Sequence, residues 1–398
     1  LNGYYRLQFV SDNIGNAGAK DARTASQIDQ RLRMKLTNTL NDYVSFVYYG
    51  EVDTPWGQPS KGSIGGGGQA SADGVNLETK NVYLAVKVPN TALSVKAGIQ
   101  GFGTKNYTIF GDDFAALRLD YKLSDMASVV ALYGKFYENN KVAYDDDNVY
   151  VLLGKFKLSE TADVNVGLAW DEVNGAAGTT DTDTDVYVLF ADGDFDLGMA
   201  KLEAQAAYSF GTMENGVGNP DTDLSGYMAS AKATVNAGGA DLGLRLTYYS
   251  ADDNLTDNDW NAFAGNVRTG SYEFPGENLH IFFYDKYYNN TNGGGLAFGP
   301  AYAGNGLFAI NGTANVKLGG GYDVKAGAGY FMALEENGAQ DSDLGFEVAA
   351  DFGRKLAEKV DVRLIGAYAV LGDFFNTTAN NNDPDDVYLT KAVINVSF

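Results

Sequence analysis

The sequence predicts an all-β chain closed into a transmembrane antiparallel β-barrel of about eighteen strands, with sixteen as the smaller alternative. Three observations predict it: a hydrophobic period of two residues, connections that alternate between short and long, and aromatic residues gathered at one end of the strands.

Alternation is plainest over 28–36. There Leu32, Met34 and Leu36 share one face, and Arg31, Arg33 and Lys35 share the other. It recurs over 93–100, 117–123, 164–171 and 360–364. A helix would scatter both sets around its circumference, whereas successive strand side chains point to opposite faces. Strands are therefore expected near 1–10, 26–38, 43–52, 77–88, 92–101, 113–123, 127–137, 147–158 and 162–171. The series continues at 184–195, 197–210, 223–237, 240–251, 305–318, 322–334, 342–355, 359–371 and 385–398. The pattern assigns no inward face to 184–195.

Short connections fall at 39–42, 89–91, 124–126, 159–161, 238–239, 319–321 and 356–358. Between them lie long polar segments at 11–25, 53–76, 102–112, 138–146, 172–183, 211–222, 252–304, 335–341 and 372–384. Tight turns at one end and long loops at the other mark a membrane barrel whose short turns face the periplasm. An even strand number places both termini on the short-turn side.

If odd strands run outward, aromatics on the apolar face should gather where odd strands end and even ones begin. Tyr48, Phe136, Trp170, Tyr208, Tyr248, Tyr330 and Tyr368 close odd strands, and Tyr150, Tyr227, Phe308, Phe346 and Tyr388 open even ones. That is a girdle at one membrane interface, where amphipathic rings settle.

Composition agrees. The chain has 49 Gly, 26 Tyr and 22 Phe in 398 residues, against 7 Pro. Glycine, at about 12%, exceeds the average of roughly 7%, and with the aromatics it suits crowded strands better than helices. No apolar run approaches the length of a membrane helix, but a barrel strand needs only about 9–11 residues, half of them apolar. The absence of Cys excludes disulfides, thiolate catalysis and Cys-ligated metal. Residues Leu1 to Tyr5 carry no signal-peptide pattern, so the sequence reads as a mature chain. Net charge is −22, from 29 basic and 51 acidic residues, which argues against nucleic acid as a partner. With 45% hydrophobic residues, the chain is not a disordered polyanion.

The last strand, over 388–398, places Tyr388, Ala392, Ile394, Val396 and the terminal Phe398 on one face. In this it resembles the bacterial outer-membrane porins, and the likeness extends over the whole chain. The resemblance implies an outer-membrane location facing lipid and lipopolysaccharide, and recognition of the Phe398 strand by the barrel-assembly machinery. A homotrimer is an assembly it allows. A narrower resemblance, to eighteen-stranded alginate-export-type and substrate-specific porins, rests on Arg31-Leu32-Arg33, Trp56-Gly57, Val82-Tyr83-Leu84 and Gly98-Ile99-Gln100. Those families often carry Gly-Arg-Gln at the last of these places; here Ile99 replaces the Arg.

The face opposite the lipid is expected to line a pore. Its candidates are Arg31, Arg33, Lys35, Lys96, Arg118, Asp120, Lys135, Lys155 and Arg245. Basic residues outnumber acidic ones on that face, so the acidic excess falls in loops. Two readings stand side by side: a basic ladder that attracts anions, or cations each paired with Asp29, Asp120 or an acidic inward-folded loop, which only fixes the loop. Loop 252–304 is the longest, and Phe274, Ile281, Phe282, Phe283, Tyr284, Tyr287 and Tyr288 make it too apolar to be purely solvated. It is expected to fold inward as a constriction or to pack over the mouth or a partner.

Other apparent motifs carry little. Gly65 to Gly68 has no helix after it, and the Asp181 and Asp383 clusters lack the Gly and Glu of a calcium loop. His280, the single histidine, lies beside Phe282 and Phe283 in the long connection, and a hydrolytic triad, which would need a Ser nucleophile near it, is not expected. No enzyme activity, metal or cofactor is expected. The function predicted is passive, anion-favouring diffusion of small polar solutes. The alternative is a structural sheath that houses or docks a partner such as a secreted electron-carrying cytochrome.

Overall fold

In the computed structural model the described residues are all except 21–22, 58–67, 71–76, 108, 139–145, 175–182, 217–218, 266–276, 284–294, 339–340, 378–379 and 381–382. The strands are β1 (Asn2–Asp12), β2 (Ala25–Thr39), β3 (Val44–Pro55), β4 (Glu78–Lys87), β5 (Leu93–Gly103), β6 (Gly111–Lys122), β7 (Ala127–Tyr137), β8 (Asp147–Ser159) and β9 (Ala162–Val173). They continue as β10 (Thr184–Asp196), β11 (Ala200–Met213), β12 (Thr222–Ala237), β13 (Ala240–Tyr249), β14 (Asp259–Trp260), β15 (Leu307–Gly319), β16 (Tyr322–Met332), β17 (Asp343–Ala357), β18 (Val360–Leu371) and β19 (Val387–Ser397).

All but β14 form one closed antiparallel barrel of eighteen strands, each paired with its chain neighbours. β1 closes on β19, with Tyr4 opposite Ser397 and Asp12 opposite Leu389. Closure leaves no unpaired edge, which is what a sheet in hydrocarbon requires. The exception, β14, is a two-residue strand in the long connection and lies parallel to Asp223–Leu224 of β12. The sequence pattern gave no sign of it.

The strands fall where the alternation places them, with ends moved by a few residues. The start of β11 moves by three residues, as do the ends of β3 and β11. Leu197 and Met199 are apolar and read as strand, but they are exposed turn residues around Gly198, whose φ of +82° a side chain would resist.

The outer face is apolar and open: Leu152, Leu168, Leu189, Leu244 and Leu364 are all exposed, as a lipid-facing band must be. Above it runs an aromatic girdle. Tyr150 stacks on Trp170 at 4.8 Å, Trp170 on Tyr187 at 5.7 Å and Tyr187 on Phe210 at 5.4 Å, while Tyr227 stacks on Tyr248 at 5.5 Å. Phe136 is not part of it. It points inward and meets the buried Phe114 edge-on at 4.8 Å.

That exception has a general cause. The inner wall of β7–β10 is itself apolar: Val130, Leu132, Val149, Val151, Ala169, Val186, Val188 and Phe190 are all buried. Ile109 and Phe110, from the connection between β5 and β6, join the same packed cluster. Strands buried on both faces lose their clean alternation, and so 184–195 could not be oriented from sequence.

Candidate pore lining and inward-folded loops

Across β2 and β3 the lumen wall is a ladder of opposite charges. Cross-strand register sets Arg31 beside Asp53 and Arg33 beside Glu51, and side chains so placed touch directly. Arg31 Nε donates to Asp53 at 2.9 Å and lies 3.5 Å from Glu51, while Arg33 pairs with Glu51. All four side chains are mostly buried. Next to them Gln8 donates to Asp29 at 3.0 Å. The two predicted arginines are therefore present on the lumen face but neutralised, by carboxylates of the neighbouring strand rather than of a loop.

The wall of β5–β8 differs. Arg118 holds Asp120, two residues on along β6, with bonds of 2.6, 2.9 and 3.1 Å. Lys96 sits opposite Arg118 in the ladder, with its amine 5.7 Å from the centre of the Tyr83 ring. Lys35, Arg118 and Lys155 all lie within electrostatic reach of Lys96. Among the described residues, Lys35, Lys96 and Lys155 form no salt bridge. This is a patch of four cations that faces Asp120, with Asp192 in reach of Lys155.

Two predicted lining residues behave differently. Lys135 is on the outer face: it lies opposite Ala115 and Asn148, on the side of Tyr133, and pairs with Glu138 and, at 2.7 Å, with Asp146. The expectation inverted the strand because Val130 and Leu132 look lipid-facing, whereas here they are covered from inside. Arg245 does face the lumen but is buried under Glu277, at 2.7 Å, and Glu203, at 3.0 Å.

With no inward face assigned to 184–195, the sequence pattern did not place the aspartates of β10. Asp192, Asp194 and Asp196 alternate on the inward face of β10. The connection between β5 and β6 passes the intervening strands β6–β9 to reach them. Lys105 pairs with Asp194, and Asn106 donates to Gln205 at 3.2 Å. Its sequence signal was present in the apolar pair Ile109-Phe110 within a polar connection.

The long connection 252–304 also packs against the inner wall over 277–283. Leu279, Ile281, Phe282 and Phe283 are buried. Phe282 stacks on Phe331 of β16 at 4.3 Å, and Phe283 meets the same ring edge-on at 5.1 Å. Glu347 of β17 accepts the backbone N–H groups of His280, Ile281 and Phe282 at 2.6, 3.1 and 2.8 Å. Phe274, Tyr284, Tyr287 and Tyr288 lie outside the described residues.

Solved structures match this whole architecture. OccAB1 of Acinetobacter baumannii superposes with a TM-score of 0.62 over 100% of this chain and 95% of its own, at 11% identity. OccK8 (OprE) of Pseudomonas aeruginosa gives 0.60 over 100% and 98%, at 10% identity. A BenF-like porin of Pseudomonas fluorescens gives 0.60 over 100% and 97%, at 11% identity. The fold is that of an outer-membrane porin. No protein-family model and no curated protein matches the sequence. Such low identities carry the porin architecture and not its solute. The closed porin barrel with its lipid-facing band belongs in the bacterial outer membrane.

Proposed function

We propose that this chain is a porin for passive diffusion of small hydrophilic solutes, with a preference for anions. The observation that carries the preference is the patch of Lys35, Lys96, Arg118 and Lys155, which holds three lysines without a salt bridge among the described residues. Exposed loop charge is screened within about 8 Å at physiological salt. Charge on a confined lumen wall acts at lower dielectric and counts for several times more. The wall patch therefore outweighs the acidic mouth.

The inward segments supply the constriction in this reading, the β5–β6 connection from one side and the described part of 252–304 from the other. The same segments occupy room that a housed protein partner would need, which argues against the sheath alternative. In the proposed setting the girdle meets lipid and lipopolysaccharide. The terminal strand, whose Phe398 exchanges 3.0 Å backbone bonds with Gly3, is the part read by the assembly machinery.

The test is the reversal potential of single channels in a planar bilayer under a potassium chloride gradient. Wild type should be mildly anion-selective, and the selectivity should weaken as salt rises. Replacing Lys35, Lys96 and Lys155 together with Gln should move the reversal potential toward cations. Replacing Arg31 and Asp53 together with Gln and Asn should move it little, because that pair carries no net charge. A wild-type pore that prefers cations would overturn the assignment.

A further inference from the structure

The second described stretch of the long connection begins at Glu277, whose side chain is buried against the wall. Its carboxylate sits between two cations of adjacent strands, 2.5 Å from Lys232 Nζ and 2.7 Å from Arg245 Nε. Lys232 and Arg245 face each other across β12 and β13. Arg245 also donates to Ser230 and to Glu203, each at 3.0 Å. The side chains of Arg245 and Glu277 are only 2% and 6% exposed. The carboxylate fills the site rather than decorating its rim.

Holding it there strains the backbone. Glu277 has φ +31° and Asn278 φ +59°, and neither is glycine. Consecutive left-handed residues of this kind persist only where surrounding structure enforces them, commonly at clamps and switches. Here Asn278 is tied to Asn315 at 3.1 Å and to the Ala326 carbonyl at 3.2 Å. Gly327 makes the approach possible, since a Cβ there would stand 2.7 Å from the Asn278 carbonyl oxygen. A strained turn pressed into a glycine notch, presenting one carboxylate to a Lys–Arg pair, has the form of a tethered ligand.

We propose that Lys232, Arg245 and Ser230 form a binding site for small oxyanions, carboxylate or phosphate, and that Glu277 occupies it as a built-in competitor. With Glu277 withdrawn, two cations face Glu203 alone, which leaves a net attraction for an anion. The planar fork of Arg245 matches either oxyanion. The site is separate from the Lys35–Lys96–Lys155 patch and lies on another sector of the wall. It rests on the porin reading only for the route by which a solute arrives. A tethered carboxylate that fills the site nine-tenths of the time lowers the apparent affinity for a solute about tenfold.

The experiment measures block of single-channel current by inorganic phosphate, and separately by acetate, at constant ionic strength. In Glu277→Ala the half-blocking concentration of at least one anion should fall about tenfold or more relative to wild type. Adding Arg245→Gln, or Lys232→Gln if the first variant fails to fold, should abolish that gain. Equal block in wild type and Glu277→Ala, or a gain that survives loss of the cation, overturns the site. If the wild-type barrel does not conduct at all, the porin reading fails. The site is then decided in detergent: a phosphate-dependent rise in Tm larger for Glu277→Ala than for wild type supports it, and an equal rise overturns it.

Discussion

The backbone N–H of Phe282 donates to Glu347 Oε2 at 2.8 Å, so one wall carboxylate fastens the apolar end of the inward-folded segment. The same carboxylate takes the N–H groups of His280 and Ile281, three donors that no strand would otherwise pair. Burial of Phe282 and Phe283 holds the segment from the other side.

Glu347→Ala should loosen this segment without unfolding the barrel. Each of the three hydrogen bonds contributes about 0.5–1.5 kcal/mol net, and each of the buried Leu279, Ile281, Phe282 and Phe283 about 1.5–3 kcal/mol. Losing the carboxylate alone therefore shifts the docking equilibrium but does not reverse it. Chymotryptic cleavage at Phe282 or Phe283 in the folded barrel should accelerate about tenfold or more, at about 1.4 kcal/mol per decade. A folded variant with unchanged cleavage would show that the carboxylate does not hold the segment.

A second expectation concerns the apolar inner wall. Gly167 lies opposite Phe190 in the ladder, and a Cβ on Gly167 would clash with the Phe190 ring. Gly167→Val should cost about 1–3 kcal/mol by overpacking, seen as a lower urea midpoint in detergent. Phe190→Leu alone should destabilise through the space it leaves. Combined with Gly167→Val it should recover part of the loss, because contacting sites are not additive. Fully additive effects would mean the two side chains do not share one packed space.

The strands were legible because lipid imposes a strict rule on one face. A residue such as Leu152 or Leu364 must be apolar, and the pleat then hands the intervening residues to the lumen. The girdle was legible for the same reason, since Tyr150, Trp170 and Tyr248 occupy a fixed depth. The rule fails where the inner face is also apolar. In β7 the inward Val130 and Leu132 are as apolar as the outward residues, and they belong to the buried cluster that Ile109 and Phe110 join. Lys135 and Phe136 were consequently placed on the wrong faces. Arg31 and Arg33 were correctly turned inward, but their neutralisation depends on the register that brings Glu51 and Asp53 beside them, and alternation within one strand does not fix the register between two. Glu277 was hidden for a third reason: its contacts with Lys232 and Arg245 join a connection to strands that periodicity cannot relate to it.

The β5–β6 connection allows charge and packing to be separated within one loop. Lys105 pairs with Asp194, whose side chain is 61% exposed, and an exposed ion pair contributes about 0–1 kcal/mol. Phe110 is buried at 1% exposure among Phe102, Phe114 and their neighbours, and burying such a side chain contributes about 1.5–3 kcal/mol. Packing, not the salt bridge, therefore holds the loop against the wall. Lys105→Gln should leave single-channel conductance nearly unchanged. It should move selectivity toward cations, because it unmasks Asp194 beside Asp192 and Asp196. Phe110→Ser should do the opposite: the loop loses its anchor, conductance rises and open-channel noise increases, with a smaller change in reversal potential. A Lys105→Gln channel that opens wider than Phe110→Ser would mean that the ion pair positions the constriction and that the apolar cluster only fills space behind it.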